Sequence, residues 1–220
     1  KITITTPFRV KIPYGSISRF GHIGQGYKIT QWYPKPAVYD HKGWHEMPYL
    51  SQGEFYSEFG SFDVRIKIPE EYVVAATGNL QTKQEKEWLN KLAGETENKE
   101  NDTIANHTPS KLSSNYKTIR YTENNVHDFA WFADKDYQVS KDSVKLPNTD
   151  KVVDCWAFYR ENNRQKWKRA TEYIKDALFY YSKWYGDYAY DNCTVISNPP
   201  GTRGGGMEYP TITAIGSSMN

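Results

Sequence analysis

Phe62-Asp63-Val64-Arg65-Ile66-Lys67-Ile68 alternates apolar and charged residues without a fault. In an extended chain successive side chains point to opposite faces, so Phe62, Val64, Ile66 and Ile68 share one side and Asp63, Arg65 and Lys67 the other. A strand with one buried and one wet face belongs to a sheet packed on one side only. The next run, Tyr72-Val73-Val74-Ala75-Ala76, is continuously apolar and stops at the turn Thr77-Gly78-Asn79. Upstream, Thr3-Ile4-Thr5 and Phe8-Arg9-Val10-Lys11-Ile12-Pro13 also read as strands. Downstream, strands are predicted at Tyr116–Tyr121, Asp128–Phe132 and Tyr137–Val139. Residues 1–148 therefore read as a β-sandwich domain interrupted at 82–114. Within the interruption, Thr82-Lys83-Gln84-Glu85 fits a capping box, and Trp88, Leu89 and Leu92 give a short amphipathic helix ending at Gly94. Glu95 to Ser114, rich in Asn, Thr, Ser and Glu, reads as a mobile surface insertion.

The pattern changes after the turn Pro147-Asn148-Thr149-Asp150. Val152 to Tyr159 is a strand. Trp167, Ala170, Thr171, Ile174, Leu178, Tyr181 and Tyr185 then fall at helical spacing on one apolar face, with Asn162 or Asn163 to cap the start and Gly186 to end it. Cys193-Thr194-Val195-Ile196 is a strand, Ser197 to Gly206 a Pro/Gly loop, and Met207 to Ile215 another strand. Strand, helix, strand, loop, strand opens an α/β domain that does not close by residue 220. The fold class is mostly β with an α+β second part.

Composition narrows the partners. The chain has 28 Lys+Arg against 26 Asp+Glu, a net charge of +2. This argues against nucleic acid, which calls for a concentrated basic face. No apolar run reaches the roughly 20 residues needed to cross a bilayer. The chain opens with Lys1 inside an alternating run, so the true N-terminus is expected elsewhere. Its 18 Tyr and 7 Trp suit a β-rich protein of the bacterial periplasm or cell surface, and also suit a sugar binder. Cys155 and Cys193 read as small buried hydrophobes rather than a disulfide.

Among the five histidines, His41 and His45 are four apart with Glu46 beside them. Gly43 and Pro48 break a helix there, and H-E-x-x-H would need its second His where Tyr49 stands, so no zinc helix is read. His127-Asp128 reads as structural. No G-x-S-x-G elbow is present. Gly204-Gly205-Gly206 lacks the Gly-Lys-Ser/Thr ending of a phosphate loop. What remains is Gly204-Gly205-Gly206-Met207-Glu208-Tyr209-Pro210. Glycines beside a strand let another backbone approach, a strand edge pairs with an extended peptide, and a following carboxylate can hold the free α-amine at that peptide's end.

The order of parts from Val152 to Ile215 resembles the opening of the catalytic domain in the aminopeptidase N family of gluzincin zinc peptidases. That family runs a V-x-V-W-A strand, a long helix ending in Tyr/Phe-Gly-x-Tyr-x-Tyr, a strand and a G-x-M-E-N motif. The counterparts here are Val153-Asp154-Cys155-Trp156-Ala157, Tyr185-Gly186-Asp187-Tyr188-Ala189-Tyr190, Cys193–Ile196 and Gly205-Gly206-Met207-Glu208. Upstream, Thr30-Gln31-Trp32-Tyr33-Pro34 looks like the family's T-Q-x-E-P segment, and Thr77-Gly78-Asn79-Leu80 like its S-N-G-N-L strand end.

The resemblance implies that residues 149–220 begin a thermolysin-like metallopeptidase domain. It implies that Glu208 binds a substrate's α-amine, that Gly205, Gly206 and Met207 pair with its backbone, and that Gln31 lines the pocket. Tyr33 stands where the family has a carboxylate and Tyr209 where it has Asn; both departures put strict aminopeptidase specificity in question. The family's zinc ligands and catalytic Tyr lie further downstream. The expectation is thus a fragment of a zinc-dependent peptidase, with no catalytic residue of its own, that binds no zinc and hydrolyses nothing alone. Its partners would be a peptide substrate and the missing C-terminal part of its own catalytic domain. Two other readings stand beside it: a non-catalytic scaffold descended from such peptidases, and a carbohydrate- or partner-binding sandwich built on Trp32, Tyr33, Trp44, Tyr49, Phe55 and Tyr56.

Overall fold

The computed structural model describes residues 2–17, 19–48, 55–98, 115–199 and 205–216. Three sheets are stacked, with a helix over the last. The outer one orders β6 (Gly60–Pro69), β9 (Tyr116–Val126) and β8 (Asn79–Leu80). The middle one orders β1 (Gly15–Ile17), β2 (Phe20–Ile23), β3 (Gly26–Ile29), β10 (Trp131–Asp134) and β7 (Val73–Ala76). The third orders β11 (Tyr137–Lys145), β12 (Val152–Arg160), β13 (Asn192–Ser197), β15 (Ile212–Ile215) and β14 (Gly206–Tyr209). A small hairpin, β4 (Val38–Asp40) with β5 (Gly43–His45), stands apart.

The alternation of β6 is realised as read: Ile66 and Ile68 are buried, and Asp63, Arg65 and Lys67 are exposed. They meet Val74 and Ala76 of the middle sheet, and the Tyr121 hydroxyl donates to the Val74 carbonyl at 3.0 Å. All four residues of β7 are buried because the middle sheet is covered on both faces. Val73, Ala75 and Phe132 point the other way, into a core shared with Trp156, Phe158, Ile196, Ile212 and Tyr209 of the third sheet.

β12 is apolar nearly throughout for the same reason. Trp156 and Phe158 face the middle sheet, while Val153, Cys155, Ala157 and Tyr159 face the helices. β12 and β13 pair in parallel, joined by α2 (Arg164–Trp167) and α3 (Ala170–Tyr185). Parallel neighbours need such a crossover. β11 pairs with β12 across the turn at 146–151, so the third sheet draws strands from both sides of residue 148.

Several expectations need correction. Residues 2–13 form no strand and only Tyr14 makes an isolated bridge; Ile2 and Ile4 stand in solvent at 85% and 81% exposure, with no pleated neighbour to hide their apolar side. The first helix, α1 (Lys83–Asn98), runs through Gly94, since burial of Leu89 and Ala93 in the central core outweighs the glycine. Its capping box is spent on tertiary bonds: Thr82 Oγ1 accepts the Arg120 N–H, and Glu85 pairs with Lys117 at 2.6 Å. Residues 99–114 of the expected insertion lie outside the described residues.

The second long helix is broken at 168–169, and Asn163 donates to Ser197 Oγ rather than capping. Tyr181 and Tyr185 of its presumed inner face are 62% and 83% exposed; Ser182 is buried there instead. Met207 to Ile215 is not one strand but the hairpin β14–β15. The two cysteines are free, side by side in register on β12 and β13.

Asp134 of β10 and Arg160 of β12 tie the middle sheet to the third, with Arg160 Nε donating to Asp134 Oδ2 at 2.7 Å. Gly26 lies against this pair so closely that a Cβ there would stand 2.7 Å from Asp134 Oδ2. The Asp134 side chain is 1% exposed. Arg160→Met should therefore cost about 3–5 kcal/mol in urea unfolding, because it strands a buried carboxylate. A loss below about 1 kcal/mol would show that the pair is not a structural tie.

Candidate functional site

Gly205 to Tyr209 is held as a ribbon at the end of the third sheet. Gly206, Met207, Glu208 and Tyr209 pair with Ile215, Ala214, Thr213 and Ile212 of β15, and the Gly216 N–H donates to the Gly205 carbonyl at 2.7 Å. Gly205 has φ of +129°, a conformation side-chain-bearing residues avoid. At Gly206 a Cβ would meet only the Ala214 carbonyl, at 3.6 Å. β14 ends the sheet, so its outer row of N–H and C=O groups has no strand partner among the described residues.

The pleat sorts the side chains. Tyr209 is buried in the central core, its ring 6.2 Å from that of Phe132, and Met207 packs against the same core. Glu208 therefore points to the opposite face and is exposed. That face is the one α3 covers. α3 reaches over β11, β12 and part of β13, leaving a cavity of about 510 Å³ against the sheet. It is lined by Trp167, Ala177, Tyr181, Tyr185, Val195 and Ile215 among others, and also by Thr213, which pairs with Glu208.

Gln31 and Tyr33 sit elsewhere, gathered on a buried carboxylate that sequence reading passed over. Asp128, 3% exposed, accepts from Gln31 Nε2 at 2.7 Å, from the Tyr33 hydroxyl at 3.1 Å and from the Phe129 N–H at 2.7 Å. Lys35 Nζ lies 2.9 Å from its Oδ1. Gln31 takes a left-handed φ of +56° to enter the cluster. Burial, and then the Asp128 charge, pushes the Tyr33 phenol well above the usual range, so it stays neutral. Gln31, Tyr33 and Lys35 line a second cavity of about 520 Å³ with His45, Glu46 and Tyr56, to which Gly205–Tyr209 contribute nothing. Nothing in the dipeptide His127-Asp128 signals this role; the His127 ring lies against Phe59 instead.

Of the aromatics offered for a binding platform, Trp44 meets Tyr39 edge to face at 62° and Trp32 and Tyr33 pack against the core between the outer and middle sheets, while Tyr49 lies outside the described residues. Among the described residues there is no group of three or more His, Cys, Asp or Glu that could hold a metal ion. None of the described helices is long and apolar enough to cross a membrane.

No family model matches the sequence, and no curated protein matches it. Solved structures do. A two-domain M1 zinc metallopeptidase, a point mutant bound to L-tryptophan, superposes with a TM-score of 0.50 at 16% identity over 73% of this chain. The likeness is one of fold. An M1 zinc metallopeptidase from Deinococcus radiodurans gives 0.49 at 16% identity, again over 73% of this chain. Legionella pneumophila aminopeptidase A, in complex with aspartic acid, gives 0.48 at 14% over 70% of this chain and 16% of its own. This chain spans 31% of the length of the first two. The β-rich architecture expected from the sequence is shared with part of the L-tryptophan-bound enzyme.

Asp128→Ala should cost about 3 kcal/mol in chemical unfolding, because it leaves Lys35, Gln31 and Tyr33 without their acceptor. Tyr33→Phe, which removes one of four donors, should cost about 1 kcal/mol. Equal effects of the two would contradict a shared hub.

Proposed function

We propose that this chain is the substrate-recognition part of a zinc-dependent, aminopeptidase-like enzyme. A peptide adds as a further strand along the outer edge of β14, and Glu208 holds its free α-amine. The observation that carries this reading is the conjunction of a strand edge without a strand partner among the described residues and an exposed carboxylate on the same four-residue strand. Main-chain hydrogen bonds to the edge supply affinity that does not depend on side chains. A charge-assisted bond from the α-ammonium to Glu208 fixes the register, because the main chain of a peptide carries an ammonium only at its first residue.

The remainder of the catalytic domain, with its zinc, would sit on the apolar face beside α3. Sheet and helix layers need their apolar surfaces covered. Here Tyr181, Trp184 and Tyr185 stand more than half exposed next to the cavity over β13 and β15. Glu208 opens onto that face, beside Thr213 of the cavity lining. The zinc would polarise the scissile carbonyl and activate water. This chain's own share is to bind and orient.

The test uses the 220-residue chain and tetra-alanine amide, titrated by calorimetry. The free-amine peptide should bind about fivefold more tightly than its N-acetyl form, and Glu208→Gln should remove the difference. Equal binding of the two peptides by the unaltered chain would sink the reading.

A further inference from the structure

We infer that β6 is a self-pairing edge: two copies of this chain join their outer sheets by antiparallel pairing of β6 with β6, centred on Val64. The surface belongs to the outer sheet, so the inference stands apart from the peptide edge of β14.

The backbone comes first. Among the described strands that end a sheet, β6 is the longest, at 10 residues. β9 occupies one side of it, and the other side has no strand partner among the described residues. Such a row of N–H and C=O groups accepts an extended chain whose side chains are compatible with its own. The apolar face is unfinished toward one end. Ile66 and Ile68 are buried, while Phe62 and Val64 are only half-buried. A strand laid beside Phe62 and Val64 would cover them.

The charges on the wet face, Asp63, Arg65 and Lys67, then choose the strand. Charged edges normally discourage pairing, and like charges directly opposite each other are destabilising. A two-fold axis normal to the sheet keeps the apolar residues of both copies on one face, and it can be centred on different residues. Centred on Asp63, it sets that carboxylate against its own copy. Centred on Arg65, it sets two guanidiniums together, and on Ile66 it opposes Arg65 to Lys67. Among these centres Val64 alone opposes Asp63 to Arg65, and does so twice, with Phe62 opposite Ile66 and Lys67 opposite the uncharged Ser61.

Arg65 is also poorly served within its own chain. It lies directly opposite Arg120 of β9. Asp63 accepts from Arg120 with both oxygens at 2.8 Å but stands 3.6 Å from Arg65. The side chains of Asp63 and Arg65 are 45% and 61% exposed, free to turn toward a neighbour. A carboxylate accepts up to about four hydrogen bonds, so Asp63 can hold Arg120 of its own chain and Arg65 of the copy together.

Sedimentation equilibrium of the 220-residue chain should show one chain passing to two, half-dimeric at about 100 µM, as suits a small interface. Asp63→Arg and Arg65→Asp should each stay monomeric alone, because the opposed pairs become like-charged. Mixed in equal amounts they should pair again, since the first presents two guanidiniums to the second's two carboxylates. A mere disturbance of folding would not be cured by mixing. The milder Asp63→Asn should weaken the pair about fivefold, and it takes the place of either reversal that fails to fold. A chain that stays monomeric to about 500 µM overturns the inference. So do a dimer indifferent to these variants, reversals that stay monomeric when mixed, and masses that grow past two chains, since a two-fold pair closes on itself.

Discussion

β12 buries both of its faces, and most of the molecule is arranged to let it. Trp156 and Phe158 need the middle sheet; Val153, Cys155, Ala157 and Tyr159 need a helix. The middle sheet must then be apolar on both sides, which brings the outer sheet with Ile66, Ile68 and Ile119 against it. At roughly 25 cal/mol per Å² of apolar area, covering these surfaces is the largest favourable contribution available to a chain of this size. The helix obtains its place from the same strand, through Ile174 and Leu178. The third sheet nevertheless extends two strands beyond what α3 reaches. β15 and β14 are supported by the middle sheet from below through Ile212, Ala214 and Tyr209, and no described helix covers them fully from above. A rigid, half-covered sheet margin is a good place to bind, since the edge is held in shape without the ligand.

How far this was legible depends on where the physics is local. β6, β7 and β12 could be read from period and continuity because burial on one face or two leaves a direct trace in residue order. The strand–helix–strand unit could be read from the α3 periodicity and from Gly186, whose φ of +105° ends the helix. Residues 2–13 alternate just as well as β6 but lack a neighbour, and alternation alone cannot supply one. The Thr82–Glu85 box failed for a related reason: Lys117 and the Arg120 N–H, more than thirty residues away, offered better partners than the helix's own first turn. The ribbon Gly205–Tyr209 was found by its residue types, but that Met207 and Tyr209 would point inward and Glu208 outward follows from a hairpin whose turn was not read. Asp128 was invisible because three of its four donors, Gln31, Tyr33 and Lys35, come from one segment more than ninety residues away.

Asp128 bears on how an amine would be recognised. A carboxylate in place of Tyr33 would add a negative charge to the cavity that Gln31 and Lys35 line, to which Glu208 does not contribute. Tyr33 remains a neutral phenol, and the Asp128 charge behind it is already matched by Lys35 at 2.9 Å. The Gln31–Tyr33–Lys35 wall is therefore electrically close to neutral, whatever lies in the cavity it lines. Glu208 has no ion-pair partner among the described residues, so any attraction for an ammonium at this margin comes from a single exposed carboxylate. An exposed pair contributes about 1 kcal/mol or less. Selectivity for a free amine must then come from geometry, as the backbone edge sets how far a peptide can slide past Glu208.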